Sequence, residues 1–352
     1  MRFPLSQPSL GEKESGNVRD AMASGWISGT GPFVSAFEGL LRDRTGRAYA
    51  TAVSSGTTAL EIVLSALGIG PGDEVIVPAL TFAAPAAAVL TVGAVPVLCD
   101  IDADSWTIDP DAARMQLTPR TKALIAVDLM GHPCDYERLA TLGVPIVEDA
   151  AQAHGARTAH GPAGSFGIAS VFSFHVNKAV TSGEGGAVLT DDPELASAIR
   201  LLTHHGMSPD RRYHHSVAGR NGRMTNLSAA VGTAQAERWD ELVGARAEVE
   251  RCYRDRLAGR GLLPRPTQPW ASPSCWLHCV TSADRDTVVE RARRGGVDAR
   301  AVWPALSDLP LYRRYAPRSC VRASEVSRTA MWLPTWAHME PRDIAAVADR
   351  LM

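Results

Sequence analysis

Residues 170–190, SVFSFHVNKAVTSGEGGAVLT, place a lysine between two apolar runs that predict β-strands. The runs span residues 170–174 and 186–190 and are rich in Val, Phe and Leu, as buried strands are. A glycine-rich turn at residues 183–186 leads into the second run and allows close packing of the backbone against a bulky ligand. Lys178 therefore lies in a loop just beyond the end of a predicted strand.

Lys178 is one of only three lysines in a chain that holds 36 Lys and Arg residues in total. Unlike arginine, lysine loses its proton near neutral pH and forms an imine with a carbonyl compound. Considered alone, Lys178 is equally well explained as a lysine retained by chance. Its neighbours in the predicted fold decide between the two explanations.

Short apolar runs alternate with helical patterns along the first 200 residues. The predicted strands cover residues 48–53, 74–77, 95–99, 122–127, 145–147, 170–174 and 186–190, and the predicted helices cover residues 56–67, 83–91 and 192–201. Continuous apolar strands separated by helices favour an α/β fold with a mostly parallel sheet covered on both faces.

The pattern changes in the last third of the chain. Residues 225–260 predict long helix, and residues 276–280, 284–294 and 341–351 predict a smaller α+β unit. We therefore predict a large domain of residues 1–240 and a small C-terminal domain of residues 241–352.

Three further clusters follow predicted strands. Ser54–Leu60 opens a helix with small hydroxyl-bearing residues, which suits a phosphate, although a plain helix N-cap explains it too. Phe82 lies just past a strand, where a flat ligand can stack on it, although a core position is the commoner fate of Phe. Asp149 ends a buried strand, where its carboxylate needs a cation such as a protonated pyridine nitrogen, or else caps a helix.

Together these clusters supply an imine-forming amine, an anion cradle, a ring platform and an acid for a ring nitrogen. This combination is typical of a site for pyridoxal 5′-phosphate (PLP). The four signals are weak separately, and the hypothesis depends on their occurrence in one α/β chain.

Composition excludes several other classes of protein. A net charge of −2 and a pI near 6.6 provide no basic surface for nucleic acid. No apolar run is long enough to span a bilayer, and the N-terminus lacks the apolar core of a signal peptide. The six cysteines include no C-x-x-C pair, so we expect no metal site, no disulfide framework and a cytoplasmic location.

The chain resembles the DegT/DnrJ/EryC1/StrS family of PLP-dependent aminotransferases, which act on nucleotide-linked keto-sugars. The resemblance runs nearly end to end and is carried by Gly25–Ser28, Phe37–Glu38, Ser55–Thr57, Leu67–Val75, Thr81–Phe82, Gly131–Pro133, Glu148–Ala151, Ser173–Phe174 with Lys178, Gly183–Gly186 and Gly219–Asn226. Within the family, Gly206–Tyr213 and Trp303–Pro310 are similar to the perosamine-synthase branch. The resemblance implies PLP fold type I, with a large domain and a smaller C-terminal α+β domain.

The resemblance also implies roles for individual residues. Lys178 and Asp149 would be catalytic, Lys178 by binding PLP as a Schiff base and moving a proton, and Asp149 by pairing with the pyridine nitrogen. The other implied cofactor contacts are Gln152 on the ring hydroxyl, Phe82 on the ring face, Gly56, Thr57 and Ser173 on the phosphate, and Asn221 on the phosphate bound by the neighbouring subunit of a homodimer.

The implied reaction transfers the amino group of L-glutamate to a keto carbon, C4 in this branch, of a nucleotide-linked keto-6-deoxy sugar. Two other functions compete with it: a PLP-dependent dehydratase, and a non-enzymatic sensor. Lys178 argues against the first, because the deoxygenating relatives carry His in its place, and the complete PLP inventory argues against the second. An aminotransferase for an atypical sugar-, cyclitol- or nucleoside-derived acceptor also stays open.

Four positions depart from the family pattern: Pro85, His175, Gly222 and Ser307. Near the position of Ser307, many sugar aminotransferases carry a His. We expect these positions to line the sugar pocket and to alter the choice of acceptor.

Overall fold

Seven strands form the main sheet in the structure, a computed structural model that describes residues 2–352. In chain order the strands are β1 Tyr49–Val53, β2 Glu74–Pro78, β3 Val95–Cys99, β4 Thr121–Val127, β5 Ile146–Asp149, β6 Arg157–Thr158, β7 Gly161–Pro162, β8 Ala169–Ser173, β9 Gly186–Thr190, β10 Leu263–Pro264, β11 Ala271–Ser272, β12 Cys279–Thr281, β13 Arg300–Ala301 and β14 Ala330–Trp332. The helices are α1 Glu12–Ser24, α2 Pro32–Thr45, α3 Gly56–Ala66, α4 Ala84–Thr91, α5 Pro110–Arg114, α6 Tyr136–Ala140, α7 Pro193–Thr203, α8 Asn226–Glu237, α9 Trp239–Leu257, α10 Arg285–Arg294, α11 Val321–Thr329 and α12 Pro341–Leu351.

The main sheet has the strand order β1-β9-β8-β5-β4-β2-β3. Strand β9 runs antiparallel to both of its neighbours, whereas β2, β3, β4, β5 and β8 pair in parallel. The prediction of an α/β fold with a mostly parallel, mixed sheet is confirmed. Because the parallel strands run in the same direction, their carboxyl ends meet along one edge, where ligands of such sheets bind.

Both faces of the sheet are buried, as the apolar strands predicted. Along β2, Val75 and Val77 belong to one hydrophobic cluster and Ile76 to another, and β4 alternates in the same way. A third cluster joins β8 and β9 to α2 and α9 through Phe37, Phe172 and Trp239. Helices therefore cover the sheet on both sides and leave its carboxyl edge for other contacts.

The C-terminal part contains a separate four-stranded antiparallel sheet of order β10-β12-β14-β13, packed with α9, α10 and α12 around its own hydrophobic cluster. The single long helix predicted for residues 225–260 is two helices, α8 and α9, which meet at Arg238. Arg238 has φ −99° and ψ 14°, outside the α-helical region, and this bend is what the periodic sequence did not reveal. The division near residue 240 stays a prediction.

Residues 2–352 contain neither a membrane-spanning helix nor a cluster of metal ligands. No helix there is long and apolar enough to cross a membrane. No group of three or more His, Cys, Asp or Glu side chains in that range is arranged to hold a metal ion.

Gly186 lies where β1, β8 and β9 meet, and it has no room for a side chain. It pairs with Val53 on one side and Ser173 on the other, and an added Cβ would lie 2.4 Å from the carbonyl carbon of Ser55. We expect Gly186→Ala to lower the free energy of unfolding by about 1–3 kcal/mol, because backbone atoms must move to admit the methyl group. Denaturant titration followed by circular dichroism measures this change.

The matched control is Gly244→Ala in the exposed middle of α9, where an added Cβ meets no atom within 4 Å. There we expect a gain of about 0.5–1 kcal/mol, because alanine favours helix over glycine. If both variants gained stability, the tight approach at Gly186 would be wrong.

Candidate active site

A cavity of about 360 Å³ opens at the carboxyl edge of the main sheet, beside the N-terminus of α3. Residues from the C-terminal part close its other side, among them Trp276, Arg300 and Trp332. Of the eight residues predicted for the site, seven line this cavity: Gly56, Thr57, Phe82, Asp149, Gln152, Ser173 and Lys178. Asn221 does not line it.

The N-terminus of α3 forms the floor of one end of the cavity. Ser55 is the N-cap and its Oγ accepts a hydrogen bond from the backbone N–H of Thr58 at 3.1 Å. The N-cap interpretation is therefore correct for Ser55, yet the N–H groups of Gly56 and Thr57 still precede the first intrahelical bonds. An added Cβ at Gly56 would lie 2.9 Å from Ser173 Cβ, so the two chain segments form a narrow cradle suited to an anion.

Asp149 is the last residue of β5 and is buried, with 6% of its surface exposed. Its Oδ1 accepts one hydrogen bond, from the Ala151 backbone N–H at 3.1 Å, and no helix begins after it. The alternative of a helix N-cap is therefore wrong for Asp149. Burial raises the pKa of this carboxyl, with the Ala151 N–H and the Lys178 charge opposing the shift, so a cationic partner in the cavity would stabilise its ionised form.

Lys178 is buried at the cavity wall. Its backbone N–H donates to His175 O at 2.9 Å in a tight turn, and its Nζ lies 4.1 Å from the ring centre of Trp276. Burial lowers the pKa of the Lys178 amine to about 8; the Asp149 carboxylate opposes this shift and the Arg246 guanidinium adds to it. An appreciable fraction of uncharged amine near neutral pH is what a nucleophilic lysine requires.

Gln152 and Phe82 are held in different ways. Gln152 is buried, and its Oε1 accepts the backbone N–H of Met130 at 2.8 Å, which leaves its amide N–H groups available to a ligand in the cavity. Phe82 is 52% exposed and its ring centre lies 5.7 Å from that of Trp303, so it is not a core residue and can offer a ring face.

Asn221 lies outside the cavity, in the segment between α7 and α8. Its side chain is exposed, and its Oδ1 accepts hydrogen bonds from the Arg223 guanidinium at 3.2 and 3.3 Å. Its backbone forms an isolated bridge with His204. Its predicted contact with a cofactor phosphate stays a prediction, since that contact requires a second subunit.

The sequence did not single out the tryptophans that close the cavity. Trp276, Trp303 and Trp332 pack against one another with ring centres 4.5–6.0 Å apart, and all three line the cavity. They lie far apart in the chain, so no local pattern connects them. Trp303 does belong to a segment that carried the family resemblance, which was the one available signal.

Arg300 was also missed. It lines the cavity, and its Nε and Nη2 donate to the two carboxylate oxygens of Asp298 at 2.8 and 2.7 Å. This bidentate pair orients the guanidinium and leaves Nη1 free for an anion. Among the family departures, Pro85 and His175 line the cavity, whereas Gly222 and Ser307 do not.

The site has a buried amine with a lowered pKa, a carboxylate without an ion pair, an anion cradle and aromatic walls, and these fit the aldehyde, pyridine nitrogen, phosphate and ring of PLP. Fold and site together define a PLP-dependent aminotransferase of fold type I. The DegT/DnrJ/EryC1/StrS aminotransferase family matches residues 8–352, so the chain belongs to that family.

Individual relatives agree with this assignment. The GDP-perosamine synthase of Caulobacter vibrioides is 38% identical, over 99% of this chain and 97% of that protein. DesV of S. venezuelae has a TM-score of 0.91 at 36% identity, over 97% of this chain and 93% of its own. Spr1654 of Streptococcus pneumoniae, solved in PLP and PMP forms, has a TM-score of 0.93 in the PMP form at 27% identity, over 99% and 96% of the two chains.

Asp149→Asn tests the role of the strand-end carboxylate. We expect the variant to fold and to retain some PLP but to lose about two to three orders of magnitude in kcat, because the amide no longer stabilises a protonated ring nitrogen. Steady-state kinetics with cofactor content measured in the same samples provide the comparison.

Asp192→Asn is the matched control, since Asp192 is a true N-cap that accepts from the backbone of Glu194 and Leu195 at 2.8 and 3.1 Å. Asparagine caps helices as well as aspartate does, so we expect activity close to wild type. Equal activity in both variants would reduce Asp149 to a structural residue.

Proposed function

We propose that the enzyme transfers the amino group of L-glutamate to the C4 keto carbon of a nucleotide-linked keto-6-deoxy sugar. The observation that carries the proposal is that Lys178 and Asp149 line one cavity and form no ion pair with each other. Within residues 2–352, Lys13 is the one lysine that forms an ion pair. The name of the 38% identical relative, GDP-perosamine synthase, supports the choice of a nucleotide sugar.

The cavity residues divide the binding of PLP among them. Lys178 would hold it covalently through Nζ, Asp149 would pair with its ring nitrogen, and the amide of Gln152 would donate to its ring hydroxyl. The backbone of Gly56 and the hydroxyls of Thr57 and Ser173 would hold its phosphate. Bound PLP supplies an electron sink for the C–H bond next to the transferred nitrogen.

Lys178 has a second task once its amine is released by a substrate amine. Its Nζ would carry a proton from the α-carbon of glutamate to the cofactor, and from the cofactor to the sugar carbon in the second half of the reaction. An amine whose pKa lies near 8 can both accept and donate a proton at neutral pH. Asp149 would keep the ring nitrogen protonated through its buried negative charge.

Arg300 supplies a cation for the substrates. L-Glutamate carries carboxylates and a nucleotide sugar carries a diphosphate, and both enter the same cavity in turn. The guanidinium anchored on Asp298 presents Nη1 to either anion. The tryptophans beside it offer apolar faces, which suit the ring of a deoxy sugar.

A panel of acceptors tests the proposed reaction. Purified protein loaded with PLP is incubated with L-glutamate and keto-sugars linked to GDP, UDP or dTDP, and mass spectrometry reads the products. We expect one sugar to exchange its keto oxygen for an amino group while 2-oxoglutarate accumulates. Lys178→Arg should abolish turnover although it keeps a positive charge, because guanidinium forms no imine at this position.

Other outcomes of the panel separate the alternatives. Loss of a sugar hydroxyl without gain of nitrogen would establish a dehydratase. Consumption of L-glutamate with no product from any sugar would point to a cyclitol- or nucleoside-derived acceptor. Arg300→Ala should raise KM for the anionic substrates far more than it lowers kcat, and an unchanged KM would remove Arg300 from substrate binding.

We further propose that two copies of the chain form a homodimer in which Asn221 contacts the cofactor phosphate of the other copy. The segment around Asn221 lies beside an exposed apolar patch, Trp26 and Ile27, which are 54% and 46% exposed. Asn226 joins the two, since its Nδ2 donates to Trp26 O at 2.7 Å and its backbone N–H to Ser28 O. Exposed apolar residues next to a polar loop are suited to a subunit interface.

Mixed dimers test the shared site. Lys178→Ala and Asn221→Ala each impair both sites of their own homodimer, whereas a mixed dimer contains one site with both changes and one with neither. After subunit exchange, confirmed by native mass spectrometry, we expect the mixed species to regain activity toward half of wild type. Exchange with no activity beyond that of the parents would place Asn221 outside the site of the neighbouring subunit.

A further inference from the structure

Arg246 is an unusual buried cation. Its side chain is 1% exposed, in the middle of α9, and it is among the largest fully buried side chains of residues 2–352. None of its hydrogen bonds goes to a carboxylate, and it has no ion pair within the described chain. Buried arginines are normally paired with an acid, because an isolated buried charge is costly.

The hydrogen bonds of Arg246 converge on the segment that carries the reactive lysine. Nη2 donates to Lys178 O at 3.0 Å, to Asn177 O at 3.3 Å and to Ser6 Oγ at 3.3 Å, and Nη1 donates to Trp276 O. The indole N–H of Trp276 donates to Asn177 O at 3.1 Å, and its ring lies against Lys178 Nζ. Arg246 therefore links α9 to the backbone of Lys178 and to Trp276, whose ring lies beside the Lys178 amine.

Few other charges surround Lys178. The titratable groups on the elements packed around it are Asp149 at the end of β5, His154 in the following turn, His175 and Glu184 in its own loop, Arg300 at the cavity and Cys275 near Arg246. Burial holds the pKa of His154 well below its usual range and raises that of the Cys275 thiol well above, so both are uncharged at neutral pH. Burial lowers the pKa of Arg246 to about 10, which leaves it charged.

We propose that Arg246 is a positioning residue for Lys178: its guanidinium fixes the turn that aims the amine into the cavity and, as a cation without a counterion, favours the uncharged amine. The inference rests on the proposed function only in taking Lys178 as the reactive amine. The direction of the effect of Arg246 on Lys178 follows from electrostatics, since a nearby positive charge disfavours a second one. Burial and Arg246 lower the pKa of Lys178 and Asp149 opposes them, so we expect loss of Arg246 to move this pKa back toward its ordinary value.

The small number of lysines makes the charge effect measurable without turnover. Cofactor-free protein is labelled with a trace of acetic anhydride between pH 6 and 10, and peptides containing Lys13, Lys122 and Lys178 are quantified by mass spectrometry. Only uncharged amine reacts, so the labelling curve of each lysine reports its titration. In Arg246→Met we expect the Lys178 curve to move to higher pH and its labelling at pH 7, relative to Lys122, to fall roughly three- to tenfold.

Arg47 provides a matched control. It is another buried arginine that donates to backbone carbonyls, at 3.3 Å to Gly164 O and 2.9 Å to Gly167 O, but it is paired with Asp191 and does not line the cavity. Arg47→Met should lose stability, as Arg246→Met does, and leave the Lys178 curve in place. A Lys178 curve unchanged in Arg246→Met, or moved equally in Arg47→Met, would overturn the proposal.

Arg246→Lys separates the effect of the charge of Arg246 from the effect of its hydrogen bonds. It also tests the proposal if Arg246→Met does not fold. Its ammonium keeps the cation but cannot reach several carbonyl groups with one planar fork. We expect the Lys178 labelling curve to stay near that of wild type while kcat falls more than tenfold below that of Arg47→Lys, with KM little changed. Equal kcat in the two lysine variants would contradict the positioning role. Labelling of Lys178 that stays low at every pH in wild type would instead refute Lys178 as the reactive amine.

Discussion

The separation of a buried amine from a buried carboxylate is the constraint on which the rest of the site depends. If Lys178 and Asp149 met, they would neutralise each other, and neither could act on a ligand. The fold prevents this by holding them on different elements. Asp149 ends β5, whereas Lys178 lies in the turn beyond β8, and the cavity lies between them. Burial raises the pKa of Asp149 and lowers that of Lys178, and the attraction between the two groups only partly opposes these shifts.

The parallel sheet makes this separation possible. Neighbouring strands β5 and β8 end at one edge, so the residues that follow them face the same space. The alternation along β5 also matters. Glu148 points to the opposite face, where it accepts the backbone N–H groups of Gly164 at 2.6 Å and Phe166 at 2.7 Å. Glu148 thus fixes the chain behind the site, while the next residue of the strand, Asp149, lines the cavity.

Sequence reasoning located the strands and the cavity residues that are encoded locally. The apolar runs predicted the strands of the main sheet, and residues at or shortly after the ends of three of those strands, Phe82, Asp149 and Lys178, line the cavity. It failed where contacts join distant parts of the chain. Trp276 and Arg246 lie 98 and 68 residues after Lys178 and look like ordinary core and helix-surface residues in the sequence. Arg246 occurs in an Arg- and Glu-rich helix, and its one local signal is its spacing, which places it on the same helix face as the buried Leu242 and Val249.

The position of Arg246 also bears on the domain division near residue 240. Helix α9 begins at Trp239, so a cut at that point would assign Arg246 to the small domain and Lys178 to the large one. Yet the guanidinium of Arg246 bonds directly to the backbone of Lys178, and Trp276, from the same C-terminal part, covers the amine. The two parts therefore cannot be treated as a cofactor domain with an appendage. The C-terminal part supplies the guanidinium that bonds to the Lys178 backbone and the ring that lies beside its amine, so both parts of the chain form the surroundings of Lys178.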